Sequence, residues 1–127
     1  MPNINAALGC AQLEQLPDFV RAQRELAARY QQAFAGIAGV GVFQEPEYAR
    51  SNYWLNALLL DSDLAGHRDS ILSLSNERGL MTRPAWTLMH KLPMYEECPR
   101  MTLDTAHELE ARLINLPSTP ALERSDG

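Results

Sequence analysis

The apolar segment at residues 53–60 constrains the fold of this 127-residue chain more than any other part of it. All but one of its residues are apolar, and so short a run is typical of a strand that is covered on both faces or lies in the centre of a sheet. Residues 40–43 and 80–83 predict two further short strands. The sequence therefore predicts a small sheet of about three strands.

Helical patterns precede these strands. Apolar residues recur at helical spacing over residues 4–16 and again from Pro17 to about residue 35, with Arg24 among the side chains expected to face water. Proline breaks or kinks a helix and suits the first turn of the next one. We therefore expect two leading helices that meet at Pro17.

Two more helices are expected downstream, at residues 64–78 and from Thr105 to a terminating segment at residues 115–117. The first of them lies in a link long enough for a crossover between strands. The predicted fold class is α+β, with two leading helices followed by a small sheet of about three strands with helices packed on it. The predicted parts are a helical segment at residues 1–39, an α+β small domain at residues 40–120 and a disordered tail at residues 121–127.

Composition argues against several classes of function. A net charge of −5 and scattered arginines disfavour a nucleic-acid partner, and no apolar run approaches the length of a membrane span. The two cysteines form no paired motif, which favours reduced thiols and a cytoplasmic location. No metal site is expected, because none of the histidines stands at metal-ligand spacing; they are His67, His90 and His107.

The segment at residues 83–95 concentrates chemically useful side chains. It contains the only lysine of the chain, one of its two tryptophans, one of its three histidines and two prolines, without a strict helical or strand period. Such a segment forms either a ligand wall or a buried aromatic loop between two elements. Lys91 is the one candidate for a Schiff base, although a solvent-facing lysine is the commoner outcome.

Five segments carry a resemblance that covers residues 1–118. They are residues 1–16, the spacing of Arg21, Ala28 and Tyr30 in the second helix, and residues 51–54, 79–84 and 113–118. In order and spacing they resemble the C-terminal part of the DegT/DnrJ/EryC1/StrS sugar aminotransferases. The segment at residues 83–95 most resembles the branch that aminates UDP-linked 4-keto sugars on routes to legionaminic acid or bacillosamine-type sugars.

The resemblance implies a fold-type-I pyridoxal-phosphate enzyme, usually a homodimer, that takes its amino group from glutamate. In that family a large domain holds the Schiff-base lysine, the aspartate on the pyridinium nitrogen and the phosphate-binding residues. Lys91 does not match that lysine, and no residue here matches the others. We therefore expect no catalytic or cofactor-binding residue in this chain, no activity by itself, and a missing large domain as its partner.

The resemblance also implies roles in binding a sugar-nucleotide substrate. Arg83 would bond to a diphosphate or a carboxylate, Trp86 would stack on a sugar or base, and His90 would hydrogen-bond to the sugar. Ser51 and Asn52 would lie near the same cleft. For Trp86 the alternative is a buried anchor beneath the loop, because tryptophan is highly buried on average.

A second function class remains open at this stage. The chain is either a domain fragment of a nucleotide-sugar aminotransferase or a stand-alone, non-catalytic binding or interaction module derived from that domain. An orphaned domain would expose the apolar face that met the large domain, mainly at residues 4–16 and around Trp86. A stand-alone module would cover that face by self-association or replace it with polar residues.

Overall fold

The chain folds into three helices and one four-stranded antiparallel sheet, as described by a computed structural model over residues 2–119. This confirms the predicted α+β class. The tail predicted at residues 121–127 lies outside the described residues. The elements are α1 (Asn3–Phe34), β1 (Val40–Val42), β2 (Asn56–Leu60), α2 (Arg68–Glu77), β3 (Arg83–Pro84), α3 (Asp104–Arg112) and β4 (Leu113–Leu116), with 3-10 turns at Ser62–His67, Met89–Lys91 and Pro93–Tyr95.

The sheet has the order β1-β2-β4-β3, and β4 is the strand that the sequence did not predict. The sequence pattern assigned Leu113 to the stripe of the last helix and residues 115–117 to its end. In the structure α3 ends at Arg112 and the chain turns directly into β4, where Ile114 pairs with Leu58 of β2. The backbone groups of residues 113–116 are satisfied by the neighbouring strands, which overrides the helical spacing.

The predicted crossover after β2 has an unexpected geometry. β2 and β3 both run antiparallel to β4, so they are parallel to each other but are separated by it. The link through α2 therefore skips one strand position, and β4 returns to fill the gap. The place of β3 in the sheet depends on β4, because β4 is the strand of the described sheet with which β3 pairs.

The two predicted leading helices are one continuous helix, so the predicted break at Pro17 is wrong. α1 runs for 32 residues with Pro17 in its interior. Proline cannot donate to the carbonyl one turn earlier, but its fixed φ is compatible with a helix. The hydrogen bonds on either side of Pro17 therefore continue the helix past the missing one.

The core lies on one face of the sheet. Leu60 and Ile114 are each only 1% exposed, and Leu58 lies beside them because alternate residues of a strand share a face. The same face buries Asn56, whose backbone N–H and side-chain Nδ2 both donate to Ser118 Oγ at 2.8 and 3.1 Å. The partly buried residues that pack against the core are Phe34, Val40, Leu64, Leu72 and Leu116.

The N-terminal half of α1 carries an exposed apolar face. Ile4 is 78% exposed and Leu8 is 63% exposed, and Leu13 and Leu16 are exposed as well. The buried residues of α1 are Leu26 and Ala27, in its C-terminal half. The apolar surface expected at residues 4–16 is therefore present, and we call it the α1 arm.

The central position of β4 gives a test by core truncation. We expect Ile114→Ala to lower the free energy of unfolding by about 2–5 kcal/mol, because it removes a fully buried branched side chain and leaves a cavity. The matched control Leu109→Ala, at an exposed position of α3, should cost less than about 1 kcal/mol. Urea unfolding measures both. Equal losses would contradict the placement of Ile114 in the core.

Candidate functional site

An open groove of about 620 Å³ lies beside β3 and the C-terminal end of β4. Its walls are set by the pairing of Arg83 with Asn115, and Asn115 Nδ2 donates to the carbonyl of Pro84 at 3.0 Å. These bonds fix the backbone from which the next residues of the 83–95 segment leave the sheet. The residues that line the groove are Leu55, Met81, Arg83, Pro84, Ala85, Trp86, Thr87, Asn115, Leu116, Pro117 and Ser118.

Arg83 supplies the positive charge of this groove. Its Nη1 donates to Asn76 Oδ1 and to the carbonyl of Thr82, each at 3.0 Å. Two of the five N–H donors of the guanidinium are therefore used, and no described carboxylate within residues 2–119 pairs with it. The remaining edge, formed by Nε and Nη2, has the geometry that binds a carboxylate or phosphate in a bidentate manner.

Trp86 lines the same groove and is 70% exposed. The alternative that it anchors a buried loop is therefore wrong for this structure. An indole ring that is open to solvent beside a guanidinium offers a flat surface for stacking on a sugar or a base. The structure thus brings Arg83 and Trp86 together, as two of the five predicted site residues.

His90 lies in a different place. It lines a cavity of about 300 Å³ formed by the 83–95 segment, the loop that follows it and the start of α3. Its ring makes a T-shaped contact with that of His107, with 4.7 Å between the ring centroids. Burial lowers the pKa of His90, and the nearby His107 and Arg100 lower that pKa further. A neutral imidazole at this position can both donate and accept a hydrogen bond.

Lys91 forms an ion pair rather than a free amine. Its Nζ donates to Glu110 Oε2, and the other carboxylate oxygen of Glu110 accepts the backbone N–H of Leu88 at 3.4 Å. The bond from Lys91 holds the pKa of the Glu110 carboxyl below its usual value. A Schiff-base lysine needs a neutral amine in an apolar pocket, so the only lysine of the chain does not fit that role.

Ser51 and Asn52 form the turn before β2. Ser51 Oγ accepts the backbone N–H of Tyr53 at 2.9 Å, and Asn52 Oδ1 accepts that of Trp54 at 3.0 Å. Tyr53 has a φ of 49°, in the left-handed region, which a strand does not accommodate. β2 therefore begins at Asn56, although the apolar run begins at residue 53. Neither Ser51 nor Asn52 lines the Arg83–Trp86 groove.

The helical pattern predicts that Arg24 faces water, but in the structure its side chain is hydrogen-bonded within the protein. Its guanidinium binds both oxygens of Glu45, at 2.9 and 2.5 Å, and donates to the carbonyl of Ser51 at 2.7 Å. The guanidinium carbon lies 5.4 Å from the centre of the buried Tyr53 ring. One signal was available, because Arg24 precedes the buried Ala27 by three residues and so shares its side of α1.

The groove also contains three polar residues that no sequence pattern marked as site residues, namely Thr87, Asn115 and Ser118. Asn115 lies between two core-facing residues of β4, so its side chain points to the opposite face of the sheet. The sequence pattern, which predicts a helix that ends at residues 115–117, conceals that alternation. With β4 known, the polar residue in an apolar strand marks the groove.

Two other kinds of feature bear on function. No group of three His, Cys, Asp or Glu side chains within residues 2–119 is arranged to hold a metal ion. Over the same residues no helix combines the length and the apolarity that crossing a membrane would require.

Comparison with known proteins gives one consistent family. The model of the "DegT/DnrJ/EryC1/StrS aminotransferase family" matches residues 1–126. The GDP-perosamine synthase of Vibrio cholerae is 34% identical over 123 residues, which are 96% of this chain and 33% of that protein. The GDP-perosamine synthase of Escherichia coli O157:H7 is 35% identical over 122 residues, with 96% and 32% covered. The chain spans about a third of the length of these relatives.

Solved structures show the same fold. The aminotransferase TlmJ from Streptoalloteichus hindustanus superposes with a TM-score of 0.83 at 30% identity, over 95% of this chain and 32% of that one. Helicobacter pylori PseC, an aminotransferase involved in the biosynthesis of pseudoaminic acid, has a TM-score of 0.84 at 21% identity, over 94% and 32%. The similarity to PseC concerns the fold alone.

The Arg24–Glu45 pair predicts how stability responds to acid. Arg24 and the backbone N–H of Ser51 lower the pKa of the Glu45 carboxyl from 4.5 to about 2. A carboxyl whose pKa is lower in the folded state stabilises that state above pH 4.5 and loses the effect as the pH falls towards 2. We expect the wild-type chain to be more stable than Glu45→Gln near pH 7, and the difference to shrink below about pH 3.

Urea unfolding at both pH values measures this difference. Glu47→Gln removes the same charge from an exposed position of the same loop and is the matched control. A gap between wild type and Glu45→Gln that stays constant with pH would show that the carboxylate does not depend on Arg24 in solution.

Proposed function

The chain belongs to the DegT/DnrJ/EryC1/StrS aminotransferase family, and on that premise we propose that it is the C-terminal domain of a nucleotide-sugar aminotransferase. In this proposal the enzyme transfers an amino group from glutamate to a keto sugar. This domain supplies a wall of the substrate cleft and contacts of a homodimer, and it is not catalytic by itself. The observation that carries the proposal is the open groove in which Arg83 and Trp86 lie together.

The chemistry of the groove suits a sugar nucleotide. A diphosphate carries two negative charges close together, which a guanidinium with a free bidentate edge binds strongly. Trp86 adds an apolar surface for a sugar or a base, and Thr87, Asn115 and Ser118 add short polar groups along the walls. Such a mixture of an aromatic face, a cation and small polar groups is typical of ligand sites.

The cofactor belongs to the rest of the enzyme in this proposal. Pyridoxal phosphate, when bound, supplies the electron sink for amino transfer. The residues of this chain do not fit its binding, because Lys91 is engaged by Glu110 and no other lysine exists. The chain also matches only a third of its relatives, which supports a missing large domain as its partner.

The α1 arm supports the proposal that this domain and a large cofactor domain have separate roles in one enzyme. We propose that residues 1–39 bridge to the large domain and that residues 40–120 form the small domain that closes over the substrate. The exposed side chains of Ile4, Leu8 and Leu16 provide apolar surface for that contact. Closure of the small domain would exclude water from the reacting groups. A cytoplasmic location stays a prediction.

The nucleotide of the substrate can be proposed from two sources. The resemblance of residues 83–95 predicts a UDP-linked 4-keto sugar, whereas two relatives at 34% and 35% identity are GDP-perosamine synthases. We propose that the GDP-linked keto sugar is the first substrate to test and that the UDP-linked one is its comparison.

A chimera tests whether this domain completes an aminotransferase. Residues 1–127 would replace the matching third of the Vibrio cholerae GDP-perosamine synthase, and amination of a keto-sugar nucleotide by glutamate would be measured. We expect Arg83→Ala to raise KM for the sugar nucleotide about tenfold or more, because a charge-assisted bond is lost. Trp86→Ala should weaken turnover by a few-fold because it removes a stacking surface. His90→Ala should weaken turnover by a few-fold because it removes the proposed hydrogen bond to the sugar from the separate cavity that His90 lines.

The control is Arg78→Ala, which removes the same charge from an exposed position that does not line the groove. Normal kinetics in Arg83→Ala and His90→Ala would remove the roles given to these residues. A folded but inactive chimera, together with binding of a nucleotide sugar by the 127-residue chain, would support the alternative of a stand-alone binding module. Amination by the 127-residue chain alone would contradict the proposal that it is not catalytic.

A further inference from the structure

A small polar network joins the C-terminal end of α2 to the start of β3. Asn76 Nδ2 donates to Thr82 Oγ1 at 3.1 Å, to the carbonyl of Thr82 at 3.0 Å and to the carbonyl of Leu72 at 2.8 Å. Ser75 Oγ lies 2.5 Å from Thr82 Oγ1 and donates to the Leu72 carbonyl at 3.0 Å. Thr82 is buried, so water does not compete for its hydroxyl.

The acceptors of this network are the carbonyls of Leu72 and Thr82 and the hydroxyl of Thr82. The Ser75 and Thr82 hydroxyls are hydrogen-bonded to each other. Thr82 Oγ1 also accepts from Asn76 Nδ2. A connected hydrogen-bond network therefore joins Asn76, Thr82 and Ser75 to the helix backbone.

The two carbonyls of this network fix the amide of Asn76. Its Nδ2 faces two carbonyls and a hydroxyl that needs a donor, so a flipped amide would place Oδ1 against two other oxygens. Oδ1 consequently points away from the network, where it accepts Nη1 of Arg83 at 3.0 Å. The carbonyl of Thr82 also accepts a hydrogen bond from Nη1 of Arg83.

We propose that Asn76 is a positioning residue that holds the guanidinium of Arg83 with its Nε–Nη2 edge directed into the groove. Asn76 does not line the groove itself and acts through Arg83. Both hydrogens of Nη1 are occupied, so the free edge is presented in one orientation before any anion arrives. Prior orientation of a long side chain reduces the entropy that binding would otherwise cost. Its value for catalysis rests on the proposed function, but the orientation of Arg83 does not.

The orientation can be measured without a ligand. In the ¹⁵N-labelled 127-residue chain, NMR would give the rate at which each guanidinium rotates about its Nε–Cζ bond. We expect Arg83 to rotate more slowly than the exposed Arg78, and Asn76→Ala to accelerate Arg83 about tenfold, as loss of a charged hydrogen bond implies. Ser75→Ala is the matched control, because it breaks a bond to Thr82 without touching Arg83.

Asn76→Asp provides a rescue, since it keeps an oxygen for Arg83 while it removes the donors to Thr82 and Leu72. Rotation of Arg83 should stay slow in this variant even if its stability falls. Equal rotation rates for Arg83 and Arg78 in the wild type, or equal acceleration by Asn76→Ala and Ser75→Ala, would overturn the proposal. The Asp variant keeps the test decisive if Asn76→Ala does not fold.

Kinetics of the chimera separate this inference from the proposed function. Asn76→Ala should raise KM for the sugar nucleotide several-fold, and the double variant with Arg83→Ala should be no worse than Arg83→Ala alone. Additive effects would contradict action through Arg83. If Arg83→Ala leaves KM unchanged, the proposed role in substrate binding fails, while the NMR rates still decide whether Asn76 positions Arg83.

Discussion

The pairing of β2 with β4 is the interaction on which the rest of this domain depends. It places Leu58 and Ile114 side by side in the core, and it turns Asn115 to the opposite face, where the groove lies. β3 is held in the sheet through β4, so the position of Arg83 is a consequence of the same pairing. One central ladder thus determines both the stability of the domain and the shape of its candidate binding surface.

The sequence predicted the class of fold better than its connections. Residues 53–60 identified the central strand because β2 lies between two strands, with one face buried and the other half-buried. β4 was hidden because Leu113 also completes a helical stripe. A strand of four residues has too few alternations to compete with that period. The continuity of α1 through Pro17 depends on hydrogen bonds to either side of it, which a local rule for proline does not count.

The candidate site was predictable only where its residues are neighbours in sequence. Arg83 and Trp86 leave the sheet together, so the pattern of the 83–95 segment was enough to group them. His90 belongs to a cavity formed with α3, and Ser51 is engaged by Arg24 across a long stretch of chain. Such placements depend on tertiary contacts between distant residues, and the spacing of residues along the chain does not encode them. The opposite roles of Arg24 and Arg83, one saturated by a carboxylate and one left with a free edge, likewise emerged only from the fold.

The place of β4 between two earlier strands has a consequence for the order in which the domain folds. β1 and β2 are consecutive and can pair as soon as both have been synthesised, whereas β3 has no neighbour in the sheet until β4 arrives. Closing the long loop from β2 to β4 costs chain entropy before any of its contacts are gained, which slows folding. During synthesis the segment that carries Arg83 and Trp86 therefore cannot pair with the sheet until the residues of β4 have been synthesised.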